Sequence, residues 1–518
     1  MLDRDDAPDG WMIAKLGELV QPSKEKVEPS EVAGVPYLSL EHIESGSCRN
    51  LGHGSASDVR STKSVFRPGD VLYGKLRPYL NKVCRPDFAG VCSTDILVFP
   101  SAGHVDSSYL MRFLSTPQVV EYANHHSAGV QLPRVSFSAL AEMDLPLPPL
   151  AEQKRIVAKV EELLARVNAA RERLARVPAI LKRFRQSILA AACSGRLTAD
   201  WRDGHPSVMA APGLLERLRA MRQRALTNGR GGEQAGVGTR AGRPTNRPNP
   251  DFQAEMPESW TIASMDDLTT HITSGSRDWK QYYRDNAPGT FIMAQNVRPL
   301  RFDRSYRLAV DPPSNDRDRK RSQARKGDIL VTIVGANTGD VCRIAEPVDQ
   351  HYVCQSVALM RPVLPETSPF IELYLNSPNH GRLQYEDWIY GEGRPHLSFD
   401  HLRATAIALP SIEEQAEIVR QVQGLFRLAD AIERRMMAGM ARTEKLTQAI
   451  LAKAFRGELV PTEADLARAE RRSYEPASAL LAGIRAGQPT RQRGDGGDPA
   501  CAGEGGDSPP GAPARSTG

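Results

Sequence analysis

The chain carries the same pattern of residues twice, and this duplication limits the possible folds more than any other feature of the sequence. The offset between matching residues rises only from 249, between Pro8 and Pro257, to 266, between Leu214 and Leu480. The matching segments are Pro8-Asp-Gly-Trp11 and Pro257-Glu-Ser-Trp260, Gly69-Asp70 and Gly327-Asp328, Gly129-x-x-x-Pro133 and Gly391-x-x-x-Pro395, Ser136-Phe137 and Ser398-Phe399, and Leu147-Pro148-x-x-x-Glu152-Gln153 and Leu409-Pro410-x-x-x-Glu414-Gln415. Solenoid repeats have far shorter periods, so the pattern predicts a duplicated domain.

Each copy begins with a segment of about 150 residues in which short apolar runs alternate with Gly, Pro and Asp. The runs at 69–73 and 329–334 are typical of β-strands, and those at 109–114 and 370–375 of short helices. A mixed α/β domain is therefore expected in each copy. The shared residues are predicted to form a common scaffold. The blocks between them differ completely and are predicted to be surface loops.

A long helix is predicted after each mixed domain, because apolar residues recur at spacings of four and three over more than four heptads. These residues are Ile156, Val160, Leu163, Val167, Ala170, Leu174, Val177, Leu181, Phe184 and Ile188 in the first copy, and Ile418, Val422, Leu425, Ala429, Ile432, Met436, Gly439, Thr443, Leu446 and Ile450 in the second. We expect the two apolar seams to pair; the alternative is that each helix packs on its own domain. Pro178 is expected to kink or interrupt the first helix. Gly439 and Thr443 weaken the second seam.

The expected fold class is α+β, with two similar mixed α/β domains joined by two long helices that pair as an antiparallel coiled coil with pseudo-twofold symmetry. The predicted segments are a first domain at 1–149, a first long helix at 150–193, a short helix and Gly/Arg/Pro linker at 194–249, a second domain at 250–411, a second long helix at 412–456, and a short helix with a disordered tail at 457–518.

Composition and charge exclude a membrane-embedded chain but do not identify a function. No run of about 18 apolar residues occurs. The first residues, Met1-Leu-Asp-Arg-Asp-Asp6, lack the apolar stretch of a signal peptide, so a cytoplasmic location is expected. The net charge of +5 is too small to identify a binding surface by itself. The seven cysteines show no metal-ligand spacing, so we expect reduced, packed thiols and no metal site.

Three segments resemble catalytic motifs, and each lacks an essential residue. Asp311-Pro-Pro-Ser314 has serine where an amino-methyltransferase needs an aromatic residue, and no glycine-rich cofactor motif precedes it. Gly335-Ala-Asn-Thr-Gly339 lacks the Gly-Lys-Ser/Thr of a phosphate-binding loop. In the segment 70–75, Tyr73 stands where a nuclease needs its second metal-binding acid. No catalytic residue and no cofactor are therefore predicted in this chain.

Basic and aromatic residues cluster in the blocks that differ between the copies, and segment 301–326 carries nine Lys or Arg against four Asp. Such cations can neutralise phosphates, and Arg can contact base edges. The candidate DNA-binding residues are Arg60, Lys63, Lys75, Arg77, Tyr79, Lys82, Arg277, Lys280, Arg284, Arg317, Arg319, Lys320, Arg321 and Arg325. A charged cluster is commonly only a solvated surface, but its recurrence in both copies favours DNA contact.

The doubled pattern, with a Leu-Pro-x-x-x-Glu-Gln-x-x-Ile-Val helix after each domain, resembles the specificity subunits of type I restriction-modification systems. Lys75-Leu-Arg-Pro-Tyr-Leu80 and Ser274-Gly-Ser-Arg-Asp-Trp279 add to the resemblance, which covers about 5–485. It implies two target-recognition domains that each read one half of a split, asymmetric DNA site, and a helical spacer that docks two modification subunits. It also implies that S-adenosylmethionine, ATP and Mg²⁺ act on the modification and restriction/translocase subunits.

Two other classes remain open on the sequence alone. One is a relative or remnant of a fused methyltransferase-nuclease, which would need a cofactor motif. The other is an adaptor built on paired helices that does not bind DNA, which salt-dependent binding to duplex DNA would exclude.

Overall fold

The computed structural model describes residues 7–487 except 33, 102, 104, 206–209, 229–255, 278 and 392. The predicted Gly/Arg/Pro linker and the predicted tail lie almost entirely outside these residues. Among the described residues, no helix is both long and apolar enough to cross a bilayer.

The strands are short and the two longest helices have 44 residues each. The strands are β1 Met12–Lys15, β2 Lys26–Val27, β3 Pro36–Leu38, β4 Gly54–Ser55, β5 Lys63–Phe66, β6 Val71–Gly74, β7 Val83–Cys84, β8 Gly90–Cys92, β9 Ile96–Phe99, β10 Ser127–Ala128, β11 Arg134–Val135, β12 Asp144–Leu147, β13 Thr261–Ser264, β14 Thr269–Ser274, β15 Gly289–Ile292, β16 Val297–Arg298, β17 Arg301–Phe302, β18 Leu308–Val310, β19 Ile329–Thr332, β20 Val341–Arg343, β21 His351–Val353, β22 Val357–Pro362 and β23 Ala406–Leu409. The helices are Leu16–Leu19, Ser107–Leu114, Pro117–His125, Phe137–Ala141, Leu150–Cys193, Ala199–Asp203, Ala211–Asn228, Met265–Leu268, Arg317–Ser322, Ser368–Asn376, Gly381–Trp388, Phe399–Ala404, Ile412–Phe455, Glu463–Glu470 and Ala477–Gly487.

The residues form two compact units, and the first of them combines two separate stretches of the sequence. The first unit comprises 1–170 and 442–518, and the second comprises 171–441. Each unit therefore contains one mixed domain, part of the first long helix (Leu150–Cys193) and part of the second long helix (Ile412–Phe455).

In the first unit, a five-stranded sheet has the order β2-β5-β8-β3-β4 and a three-stranded sheet has the order β7-β6-β9. Only β3 and β8 are parallel among these pairs in the described part of the chain. The larger core packs around Tyr109, whose ring lies 5.1 Å from that of Phe455. Ile156 and Val160 of the first long helix join the same core. Apolar residues from both ends of the chain thus complete one core.

In the second unit, the four-stranded sheet β14-β22-β19-β20 is antiparallel, and a three-stranded sheet has the order β18-β15-β21. Its main core includes Ile188 and Leu189 of the first long helix and Ile418 and Val422 of the second. The α+β class predicted from the sequence is confirmed.

A short antiparallel ladder closes the mixed domain in each unit. β1 pairs with β12 and places Met12 opposite Leu147, while β13 pairs with β23 and places Thr261 opposite Leu409. The repeated Trp-containing and Leu-Pro segments are therefore the two strands of one ladder. This pairing explains why both segments recur in both copies.

Each ladder brings a tryptophan to a buried carboxylate at the start of a long helix. The Trp11 indole donates to Glu152 at 2.8 Å, and the Trp260 indole donates to Glu414 at 2.9 Å. Glu152 also accepts the backbone N–H of Glu463 at 2.8 Å. Burial raises the pKa of Glu152, although these hydrogen bonds lower it. The Glu of the Leu-Pro-x-x-x-Glu-Gln motif is thus a structural acceptor that ties distant segments into one unit.

Within the second unit the two long helices run antiparallel. Arg185 of the first helix pairs with Asp430 at 2.7 Å and Glu433 at 2.8 Å of the second. Leu174, which precedes Arg185, faces Gly439, which follows Glu433. A Cβ on Gly439 would lie 3.1 Å from Leu174 Cδ1, so the glycine makes room for the opposite leucine. Gly439, which weakens the apolar seam in the sequence, is therefore the position at which the two helices approach each other closely.

The structure differs from the predicted seam in two details. The first long helix continues through Pro178 without interruption, so of the two effects expected of this proline, a kink or a break, the break does not occur. Ile432 and Leu446 keep 37% and 52% of their surface exposed, whereas the seam pattern predicted that both are buried. A sequence period gives the direction of a side chain, but burial at a given turn depends on whether another segment covers it.

Candidate nucleic-acid interface

The basic surface of the second unit is formed by two segments, 275–284 and 311–326, which we call the basic loop pair. Trp279 is the anchor between them, since it is buried against Phe291 and Tyr352, at ring distances of 5.6 and 5.3 Å. Its indole donates to Asp316 at 3.2 Å. Asp316 in turn caps the short helix Arg317–Ser322. An aromatic residue inside a polar segment thus holds the two loops together.

Two of the predicted DNA-binding arginines of this pair are half-buried and hydrogen-bonded within the unit. Arg319 donates to the Pro312 carbonyl at 2.6 Å and lies 5.9 Å from the Tyr352 ring centre. Arg321 donates to Asp318 Oδ1 and Thr273 Oγ1, both at 2.8 Å. The hydrogen bond from Arg321 lowers the pKa of Asp318. These two guanidinium groups therefore have partners within the unit, unlike cations that have only solvent around them.

The remaining predicted cations of the second unit are exposed. They are Arg277, Lys280, Arg284, Arg317, Lys320 and Arg325. Arg284 additionally donates to the carbonyls of Gln281 and Tyr283, both at 2.8 Å, which orders its side chain along the loop. The Trp279–Asp316 hydrogen bond joins the two segments, so the first five of these cations lie on loops that are in contact.

In the first unit the predicted residues divide in the same way. Lys63 is buried, with its ammonium 2.5 Å from the Ser61 carbonyl, and Lys82 donates to the Leu40 carbonyl at 2.5 Å. Both are part of the scaffold. Lys75 is half-buried, while Arg60, Arg77 and Tyr79 are exposed. Sequence alone could not separate these groups, because the same residue types serve both roles.

The Gly-x-x-x-Pro motif, assigned to the scaffold from the sequence, forms the same hairpin in both units. Ala128 pairs with Arg134 around Gly129, and Tyr390 pairs with His396 around Gly391. Both glycines have positive φ, +104° and +95°, a conformation that other residues adopt at a cost.

Each hairpin is attached to the loop that follows the Gly-Asp strand. The Arg77 N–H donates to the Pro133 carbonyl at 2.7 Å, and the Gly335 N–H donates to the Pro395 carbonyl at 3.1 Å. In the first unit, Arg134 also forms two hydrogen bonds with Asp95, at 2.8 and 3.2 Å. The structure thus adds exposed residues at the hairpin tips, which the sequence reasoning missed. Their signal is that the three residues between the fixed glycine and proline differ between the copies.

The two Gly-Asp carboxylates have structural partners. Asp70 accepts the N–H groups of Arg67 at 2.8 Å and Ser101 at 3.1 Å. Asp328 accepts the Arg325 N–H at 2.7 Å and two hydrogen bonds from Arg361, at 2.8 and 2.7 Å. Both carboxylates close a turn before a central strand. Their place in the repeated motif therefore has a folding explanation.

The arrangement of the acidic, histidine and thiol side chains determines whether this chain could bind a metal ion. No group of three or more His, Cys, Asp or Glu side chains that could hold a metal ion occurs among the described residues. Burial raises the pKa of Cys84, Cys92 and Cys193 to about 12, which keeps these thiols protonated at neutral pH. The packed, unreactive thiols expected from the sequence agree with this environment.

Comparison with known proteins gives one consistent result. Residues 8–178 match the model of the type I restriction modification DNA specificity domain. The chain is 32% identical over 362 residues to the type I restriction enzyme EcoBI specificity subunit of Escherichia coli, covering 68% of this chain and 67% of that protein. It is 31% identical over 229 residues to the EcoDI specificity subunit of Escherichia coli, covering 43% and 51%. The EcoKI specificity subunit of Escherichia coli strain K12 is 26% identical over 379 residues, covering 72% and 68%. The chain therefore matches about half to two thirds of the length of these relatives.

Two solved structures share the fold. A chain from a study of complex assembly and conformational transition of the type I R-M system aligns with a TM-score of 0.59 and 21% identity, covering 87% of this chain and 99% of that chain. The HsdS subunit from Thermoanaerobacter tengcongensis aligns with a TM-score of 0.52 and 22% identity, covering 87% and 98%.

Proposed function

The chain belongs to the family of type I restriction-modification DNA specificity subunits, and from this premise we propose that it selects the DNA target of such a complex without performing chemistry. One observation carries the proposal. The two units share the closing ladder, the Trp–Glu hydrogen bond and the attached hairpin, yet they present different exposed side chains. A repeated frame with two different surfaces is what reading two different half-sites requires.

The inequality of the two surfaces predicts an asymmetric target. A symmetric dimer places identical surfaces on its two half-sites and so reads a palindrome. Here the first unit exposes Arg77 and Tyr79, whereas the second exposes the cations of the basic loop pair, such as Arg317 and Lys320. We therefore propose a split target whose halves differ in sequence. To read such a target the chain would have to reach the DNA of a bacterial cell, so we propose a cytoplasmic location.

We further propose that the modification subunits dock on the long helices. Leu428 and Ile432 lie one turn apart on the second long helix and keep 52% and 37% of their surface exposed. Apolar side chains that a helix leaves exposed are suited to burial in a protein interface. S-adenosylmethionine, ATP and Mg²⁺ would then act on the modification and restriction subunits rather than on this chain.

The function is tested with the purified full chain and its modification subunits. The assembled complex is expected to transfer labelled methyl groups from S-adenosylmethionine to duplex DNA, and sequencing of the modified sites should show one split, asymmetric motif. The isolated chain is expected to transfer none. Methyl transfer by the isolated chain, or an unchanged motif when the chain is omitted, would contradict the proposal.

A second prediction separates DNA-contacting from structural cations in the basic loop pair. The double variant Arg317→Ala/Lys320→Ala should weaken duplex binding and reduce the slope of log affinity against log salt concentration by about 1–2, because each lost phosphate contact releases about one counterion less. Its melting temperature should fall less than that of the matched variant described next, since both side chains are exposed.

The matched variant is Arg319→Ala/Arg321→Ala, in which the lost hydrogen bonds to Pro312 and Thr273 should lower the melting temperature. Fluorescence anisotropy measures the duplex affinity of both variants and its salt dependence, and so distinguishes DNA-contacting from structural cations. An unaltered affinity and slope in Arg317→Ala/Lys320→Ala would assign these exposed cations to a solvated surface.

A further inference from the structure

The hairpin tips combine a rigid frame with variable, exposed side chains. Between the fixed glycine and proline, the first unit has Val130-Gln131-Leu132 and the second has Glu392-Gly393-Arg394. All three tip residues of the first unit are exposed, and so is Arg394. The residues on either side of each tip are held by backbone hydrogen bonds, which do not depend on the identity of the side chains between them. These residues can therefore differ without changing the frame.

The tip of the first unit lacks internal partners for its polar group. Within the described part of the chain, the Gln131 amide forms no hydrogen bond. Val130 is fully exposed and Leu132 is 46% exposed, so Gln131 is flanked in the sequence by two exposed apolar residues. A single exposed apolar residue needs no explanation, but two around a projecting amide form a defined chemical pattern.

The chemistry of this pattern matches a base pair. A glutamine amide donates and accepts two hydrogen bonds at the N7 and N6 positions of adenine, and an apolar side chain packs against the thymine methyl group. An arginine forms the corresponding pair of hydrogen bonds with O6 and N7 of guanine. We propose that the two hairpin tips read base edges in the major groove, with Gln131 contacting an adenine in one half-site and Arg394 a guanine in the other. The inference rests on the proposed function.

The surroundings of the first tip suit an approach to DNA. The Arg77 N–H donates to the carbonyl of Pro133, the residue that directly follows the tip. The exposed Arg77 therefore lies beside the base of the hairpin tip. Tyr79, two residues later, keeps 51% of its surface exposed. A guanidinium group beside a reading element can hold the adjacent phosphate, and a two-stranded ribbon fits the width of the major groove. Positioning and reading would therefore be done by neighbouring groups.

The test is selection from a library of random DNA duplexes by the full chain assembled with its modification subunits. Gln131→Ala is expected to reduce the preference for an A·T pair at one position of one half-site by about ten- to a hundredfold. Gln131→Arg should shift that position towards G·C. Arg394→Ala should remove a G·C preference in the other half-site. Gln223→Ala, an exposed glutamine on the helix Ala211–Asn228, is the control and should leave both half-sites unchanged.

The outcomes distinguish this inference from the function on which it rests. If the unaltered complex selects a split motif that Gln131→Ala, Gln131→Arg and Arg394→Ala leave intact, the hairpin tips do not read bases and the proposed function stands. If the unaltered complex selects no sequence at all, the proposed function fails and the inference fails with it. Melting curves of all variants should coincide with that of the unaltered chain, because the changed side chains are exposed.

Discussion

Glu414→Ala is expected to lower the free energy of unfolding of the second unit by about 3–5 kcal/mol, because it leaves several buried donors without their acceptor. The Glu414 carboxylate accepts the Trp260 indole at 2.9 Å, the Thr198 hydroxyl at 2.8 Å and the Arg202 guanidinium at 2.9 Å. Trp260 and Thr198 are buried, so water cannot replace the carboxylate there without opening the core. Arg202 is partly exposed, which limits the loss of its ion pair.

The measurement is urea unfolding followed by tryptophan fluorescence. Four of the five tryptophans, Trp201, Trp260, Trp279 and Trp388, belong to the second unit, so the signal reports mainly on that unit. Glu414→Gln retains one acceptor and should lose about half as much as Glu414→Ala.

The matched control for this carboxylate is Glu417→Ala on the same helix. Glu417 pairs with the exposed Arg420 at 2.6 Å, and the hydrogen bond from Arg420 lowers the pKa of Glu417 to about 2. The Arg420 guanidinium is exposed and remains hydrated when its partner is lost, so the loss of this pair should cost less than about 1 kcal/mol. Equal unfolding curves for Glu414→Ala and Glu417→Ala would show that the buried carboxylate does not hold the unit together.

Gly275→Ala is expected to destabilise the second unit by about 3 kcal/mol and to remove its contribution to DNA binding. Gly275 follows β14 and starts the basic loop pair, and its N–H donates to the Cys354 carbonyl at 3.1 Å. A Cβ at this position would lie 1.5 Å from the Val353 carbonyl oxygen. The obstacle is backbone at the end of β21, so a side-chain rotation cannot relieve it.

The control for this glycine is Gly424→Ala in the second long helix. The nearest atom to a Cβ at Gly424 is Arg427 Nη2 at 3.9 Å, so this change should stabilise the helix by about 0.5–1 kcal/mol. Urea unfolding and duplex binding of both variants provide the comparison. Unfolding and binding of Gly275→Ala equal to those of the unaltered chain would mean that the basic loop pair does not depend on this close approach.

Patterns in the sequence were sufficient to predict the local structure of several segments. The repeated Gly-x-x-x-Pro segment needs a glycine with positive φ in both copies, and the structure has such a glycine at 129 and 391. Seam positions such as Ile156 and Val160 are buried where they reach a domain core. In these cases the deciding interactions lie within a few residues or one helical period, which a single sequence displays.

The roles of individual charged residues were not predictable in the same way. Arg317 and Arg319 stand two residues apart in one basic run, yet the first is exposed and the second donates to Pro312. Both residues are arginines in the same basic run, so the sequence offers no feature that distinguishes their roles. Their difference arises because Tyr352, from a strand further along the chain, covers one side of the short helix.

By itself the sequence determined that the chain is a duplication with two long helices and two variable surfaces, since repeats and apolar periods can be read directly from the order of the residues. Only the tertiary structure decided which segments complete each unit. Glu152 accepts the backbone N–H of Glu463, 311 residues away, and Glu414 pairs with Arg202, 212 residues away. A buried carboxylate is stable only where folding supplies its donors. Those donors come from distant segments of the chain. The role of the glutamate in the Glu-Gln motif could therefore be recognised only from the tertiary structure.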